Sequence, residues 1–180
     1  MLALPVGAVY DGVRRRRSGL PRCRRACDHP GCNPMIPTTV IVVATAFPAR
    51  LSAARVAAAL QHGLSSGAGA WVLDAWTVAE HHNGVKPLTD DCDPRSFAQR
   101  LHAARALVLA AADSFEELQP SDAIFDLATD ARQGGIPAYA VCARTDTDPF
   151  TARVMDLQVV LAARSTPQLI AAGRTLAALV

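Results

Sequence analysis

The chain has 180 residues, of which 51% are hydrophobic and 19% are charged, and its formal net charge is +2. This composition is globular and excludes a disordered chain, and the length allows about two-thirds of the unfolded surface to be buried. No apolar run approaches the roughly 20 residues that span a bilayer, so we expect that the chain is not an integral membrane protein.

The net positive charge comes from the first 34 residues, which contain seven arginines and two aspartates and carry a net charge of +5. Residues 35–180 hold the other 11 basic residues against 14 acidic ones, a net charge of −3. Nucleic-acid binding requires a face rich in lysine and arginine, and Lys86 is the only lysine. We therefore expect no nucleic-acid partner for this acidic part of the chain.

The first 34 residues do not have the order of a secretory signal, in which basic residues precede an apolar stretch. Cys23, Cys27, His29 and Cys32 lie within ten positions and leave no room for the folded loop of a structural zinc site. We interpret this segment as a disordered arginine-rich tail, or as upstream sequence translated in frame before Met35. The odd number of cysteines does not resemble a secreted disulfide framework and indicates a reducing, cytoplasmic compartment.

From Ile36 onwards the chain alternates between strand and helix patterns. The β-branched run at residues 39–45 predicts a strand that is buried on both faces, and a helix capped by Ser52 follows it to about Leu64. AWVLDAW, residues 70–76, predicts the second strand, and a polar loop comes after it. Asp93-Pro94 then opens the second helix, with a capping residue ahead of a proline.

The second half of the chain continues the alternation, with strands predicted at residues 106–112, 136–142 and 157–163. The helix between the first two of these begins near Ser121 and stops at Gly134-Gly135. A short helix starts at Asp148-Pro149, and the last helix opens at Thr166-Pro167. Five strands and their helices predict one α/β domain over residues 35–180, with a doubly wound, mostly parallel five-stranded sheet that is Rossmann-like or flavodoxin-like.

Ligands bind such sheets beyond the carboxyl ends of the strands, near the switch in strand order. The first loop at that edge, TAFPARLS, has no glycine, and neither the dinucleotide fingerprint nor the Walker A motif occurs in the chain. This argues against a dinucleotide or phosphate site. The candidate ligand-binding side chains near the strand ends are Thr45, Ser52, Asp74, Glu80, His81, His82, Asp113 and Ser114.

Two of these groups have alternative interpretations. Adjacent histidines such as His81 and His82 can bind metal or carry protons, but they cannot share one helix face, and no third ligand lies at a recognisable spacing. We therefore assign no metal to these histidines. The alternative to a binding or catalytic site is a solvated loop. Ser114 and Glu117 match a capping box, so the acidic stretch after the third strand is either a helix cap or a loop that contacts a ligand.

Three segments resemble the bacterial two-domain glycerate kinases. VIVVATAFPARLSAARVAAALQHGL is similar to the family's opening, in which a strand ends in A-P-D-S-F-K-G-S and leads through L-S-A into a helix. WVLDAWTVAEHHNG stands where the family has a strand followed by P-M-A-D-G-G-E-G-T. Residues 106–144 resemble the segment in which a strand, T-G-E-G-R-L-D and a glycine-lysine pair lead through a helix to G-V-P-V. The resemblance covers residues 38–178 without the family's long central portion, and it implies ATP and Mg²⁺ as cofactors of a glycerate kinase.

The residues that serve phosphoryl transfer in that family do not carry over to this chain. The first loop lacks the family's aspartate and lysine, residues 80–84 replace G-G-E-G-T, and residues 109–115 replace T-G-E-G-R-L-D. The family's later lysine falls near Asp122. Phosphoryl transfer depends on positioned cations and backbone donors, so the cofactors would be needed only if activity were retained, and no catalytic residue is assigned.

These features predict a shortened glycerate-kinase-like domain that is non-catalytic and acts as a small-molecule-binding or interaction module, with a small organic acid as its ligand. The first alternative is an active ATP-dependent kinase of glycerate or a similar small hydroxy acid. The second is a metal- or acid/base-dependent hydrolase that uses the loop at residues 74–82. The apolar final helix, TPQLIAAGRTLAALV, could pair with a copy of itself, which would make the protein a homo-oligomer.

Overall fold

A computed structural model of the chain describes residues 38–48, 50–67, 71–78, 85–88, 96–112, 122–144 and 149–180. The chain divides into two units, Met1–Met35 and Ile36–Val180, and all the described residues belong to the second. The interpretations that concern the arginine-rich segment and its cysteines therefore lie outside the described residues.

The described residues form six strands and five helices. The strands are β1 (Thr39–Ala44), β2 (Val72–Val78), β3 (Val85–Pro87), β4 (Ala106–Ala111), β5 (Ala138–Cys142) and β6 (Leu157–Ala162). The helices are α1 (Ala53–Ser65), α2 (Phe97–His102), α3 (Ala123–Gln133), α4 (Pro149–Val154) and α5 (Thr166–Ala177). No helix among these residues is long and apolar enough to cross a membrane.

The strands form a single sheet in the order β3-β2-β1-β4-β5-β6, and every neighbouring pair is parallel except β2 and β3. The five parallel strands, numbered among themselves, therefore lie in the order 2-1-3-4-5, which is the flavodoxin-like arrangement. The predicted α/β fold with a doubly wound, mostly parallel sheet is confirmed. In this order the chain turns from one side of β1 to the other, so the switch point lies between β1 and β4.

The predicted number of five strands is wrong, because β3 adds a sixth strand at one edge of the sheet. Its three residues lie in the polar stretch that was predicted as a loop, and they pair antiparallel with Trp76, Thr77 and Val78 of β2. A lysine and a proline in so short a strand give no alternating pattern to detect. Proline is tolerated there because an edge strand does not need every backbone donor.

Two hydrophobic layers cover the two faces of the sheet, and β1 contributes to both. Val40 and Val42 belong to the layer that contains α1 and α5, whereas Ile41 and Val43 belong to the layer that contains α2 and α3. All four of these side chains are fully buried. This explains why β1 reads as a continuous β-branched run rather than as an alternating one.

The first layer is built on the pair of α1 and α5. The side chains predicted on the inner face of α1, Val56, Leu60 and Leu64, are fully buried, and so are Leu169 and Leu176 of α5. Leu169 and Leu176 are thus covered within the domain, whereas Leu179 of the same segment is exposed, and pairing of the final helix with a second copy stays a prediction.

The predicted end of α3 at Gly134-Gly135 is confirmed. Gly135 has a φ of 67°, a left-handed conformation that glycine adopts without steric cost. The Gly135 N–H donates to Arg132 O at 3.1 Å and the Ile136 N–H donates to Ala131 O at 2.8 Å. These two hydrogen bonds form a Schellman motif, which satisfies the last carbonyl groups of the helix and directs the chain into β5.

Candidate functional site at the carboxyl ends of the strands

Thr45 lies at the switch point, one residue after β1, and joins this strand to the end of β4. Its N–H donates to Ala110 O at 2.9 Å. Its hydroxyl group donates to the same carbonyl oxygen at 3.3 Å and accepts a hydrogen bond from Ala112 N at 3.1 Å. The predicted ligand-binding residue Thr45 is therefore at the expected edge of the sheet, but its hydroxyl proton is committed to the backbone of β4.

The loop after Thr45 folds back on itself instead of opening into a crevice. The Phe47 N–H donates to Leu51 O at 2.8 Å, and these two residues form an antiparallel β-bridge. Phe47 is 4% exposed and belongs to the hydrophobic layer that contains α1. An aromatic side chain thus occupies the first loop, where a phosphate site would need glycine and close backbone approach.

Ser52 caps α1, as predicted from the sequence. Its Oγ accepts a hydrogen bond from Arg55 N at 3.4 Å, and its carbonyl oxygen accepts one from Val56 N at 3.0 Å. The side chain therefore satisfies one of the backbone donors that a helix N-terminus would otherwise offer to an anion. The Ser52 side chain is therefore used as the cap of α1, although it is exposed at the carboxyl edge of the sheet.

A groove of about 470 Å³ lies between the N-terminal parts of α1 and α5, and it is lined by Arg55, Ala58, Ala59 and Thr166. Both helices follow parallel strands and therefore begin at the same edge of the sheet. Arg55 is exposed, and among the described residues it has no ion-pair partner. The groove thus contains a guanidinium group and a threonine hydroxyl group beside the apolar surface of two alanines.

Arg164 is a second cation at this edge, in the connection between β6 and α5. Its Nε donates to Ala143 O at 2.7 Å, just beyond the end of β5, and its backbone N–H donates to Gln168 Oε1 at 2.7 Å. Arg50, in the loop before α1, is also exposed and has a φ of 62°. Arg50, Arg55 and Arg164 therefore all lie in the connections or first helical turns that follow β1 and β6.

Asp74 lies away from these residues, in the middle of β2 rather than at its carboxyl end. Its Oδ2 atom is 3.2 Å from Arg100 Nε of α2, and the two side chains are 12% and 8% exposed. The guanidinium carbon of Arg100 lies 5.4 Å from the centre of the Trp76 ring, within the range of a cation–π contact. The contact between Asp74 and Arg100 is therefore an ion pair that is largely buried.

The other five candidate residues, Glu80, His81, His82, Asp113 and Ser114, lie outside the described residues. Within the described part, no group of three or more histidine, cysteine, aspartate or glutamate side chains could hold a metal ion. A second groove of about 200 Å³, between α2 and α3, contains His102 and Asp130. Two such ligands are too few for the sites that proteins build for zinc.

Sequence reasoning missed three arginines, one in the connection before α5, one in the groove between α1 and α5, and one in the ion pair with Asp74. Arg164 directly follows a predicted strand, so the strand-end rule applied to the last strand would have found it. Arg55 lies in the first turn of α1, outside the loops that the strand-end rule considers. Arg100 is 26 positions after its partner Asp74, and one sequence contains no signal for such a pair.

No model of a known protein family matches the chain, and no curated protein sequence matches it.

Proposed function

We propose that residues 35–180 form a shortened, non-catalytic relative of the glycerate kinases, which binds a small organic acid at the carboxyl edge of its sheet. The proposal has two parts, the absence of phosphoryl transfer and the presence of a carboxylate ligand.

The absence of phosphoryl transfer is supported by the hydrogen bonds and the packing of the loop after β1. The hydroxyl proton of Thr45 is donated to β4, the Ser52 side chain caps α1, and Phe47 fills the loop. A kinase of this fold would hold phosphate groups here with cations and free backbone donors. The described part of this loop offers Arg50 as a cation, but the N–H groups of Thr45 and Phe47 are already used in hydrogen bonds within the fold, which supports a binding role over catalysis.

Arginine placement supports the second part. A guanidinium group binds a carboxylate through two parallel hydrogen bonds, and Arg55 is exposed beside a groove of about 470 Å³. Residues 35–180 carry a net charge of −3, so the domain as a whole repels anions. Binding of an acid would therefore depend on this local group of arginines and would weaken as salt is added.

A turnover assay tests the first part. The purified 180-residue chain is incubated with ATP, Mg²⁺ and D-glycerate, and formation of ADP is compared with reactions that lack glycerate. We expect no glycerate-dependent ADP above that background. Turnover at the roughly 1–100 s⁻¹ of typical kinases would overturn the non-catalytic interpretation and favour the active-kinase alternative.

A binding titration tests the second part independently. D-Glycerate, lactate and the neutral analogue glycerol are titrated into the protein at low and high salt, and binding is followed by calorimetry or by NMR chemical shifts. We expect the two acids to bind and glycerol not to bind. Equal binding of glycerol, or no binding of either acid at low salt, would reject the carboxylate ligand whatever the outcome of the turnover assay.

The hydrolase alternative receives no support from the described residues. It requires Asp74 to act together with the histidines that follow β2, whereas the carboxylate of Asp74 is paired with Arg100 on the α2 face of the sheet.

A further inference from the structure

We draw no further inference here: the strongest candidate, the exposed apolar pair of Phe150 and Val154 on α4 beside the edge strand β6, carries no proposal because nothing in the described part of the chain shows what covers it.

Discussion

Gly63 of α1 and Gly173 of α5 face each other where the two helices cross. A Cβ atom added to Gly173 would lie 2.9 Å from Gly63 Cα and 2.5 Å from Leu60 O, and one added to Gly63 would overlap Ile170 O. All three of these obstacles are backbone atoms, which cannot rotate away as a side chain can. The two glycines therefore set how closely α1 and α5 approach above the sheet.

We predict that Gly63→Ala and Gly173→Ala each destabilise the domain by about 1–3 kcal/mol, the usual cost of overpacking. Alanine favours a helix by up to about 1 kcal/mol over glycine, so a net loss of stability would show that the crossing outweighs helix propensity. Urea unfolding followed by circular dichroism measures the difference in the free energy of unfolding.

Gly134→Ala is the matched control for this pair. Its new Cβ atom would meet the side chain of His102 at 3.1 Å, and that ring can move. We expect a smaller change than at the crossing. If Gly63→Ala were as stable as the control, the close approach of the two helices would not be needed.

Substitutions of Asp74 and Arg100 give a prediction that distinguishes a structural role of Asp74 from a catalytic one. Removing one partner of a buried ion pair typically costs about 3–5 kcal/mol, because the other charge stays buried. We expect Asp74→Leu and Arg100→Met each to destabilise strongly, and the double variant to lose less than the sum of the two. A double-mutant cycle in urea gives the coupling energy, which we expect to be about 1–3 kcal/mol.

The hydrolase alternative makes the opposite prediction for the same side chain. If Asp74 were a catalytic base, Asp74→Asn would abolish hydrolysis of a test ester while leaving the unfolding midpoint near that of the unchanged protein. We expect a lower midpoint and no hydrolysis by either protein. A stable variant that loses a measurable activity would reject the structural role of Asp74.

Thr45 gives a third prediction, at the switch point itself. Thr45→Val keeps the shape of the side chain but leaves Ala112 N without the acceptor that it has at 3.1 Å. An unsatisfied buried backbone donor costs about 1–3 kcal/mol, and this one is partly buried, so we expect a loss of about 1 kcal/mol in the free energy of unfolding. Thr38→Val, at an exposed threonine before β1, should change stability by less than about 0.5 kcal/mol. Equal effects of the two substitutions would show that the hydroxyl group does not join β1 to β4.

The sequence predicted those parts of the fold that depend on local patterns. The buried run of β1, the cap at Ser52 and the stop at Gly134-Gly135 each follow from neighbouring residues, and the structure has all three. The contacts that define the candidate site are not local. Thr45 bonds to residues 65 and 67 positions away, and Asp74 meets Arg100 from another element. Such contacts depend on strand order, which periodicity does not reveal, so side chains that looked available for a ligand were found in structural use.

Arg55 gives the last prediction, and this prediction rests on the proposed carboxylate ligand. We expect Arg55→Ala to weaken D-glycerate binding at least about tenfold, because a hydrogen bond to a charged group contributes about 1.5–3 kcal/mol and about 1.4 kcal/mol corresponds to a factor of ten. Arg55→Lys should recover only part of the affinity, since an ammonium group keeps the charge but loses the planar pair of donors. Calorimetric titration at low salt measures all three proteins.

Arg174→Ala is the control, because Arg174 is exposed in the last turn of α5, whereas the groove lies at the first turn of that helix. It removes one positive charge, as Arg55→Ala does, and should leave the affinity close to that of the unchanged protein. Equal weakening by the two substitutions would mean that acids respond to the net charge of the domain. Unchanged binding in Arg55→Ala would move the site away from the α1–α5 groove. A loss confined to Arg55→Ala, with unfolding unaffected, would locate the carboxylate at this edge of the sheet.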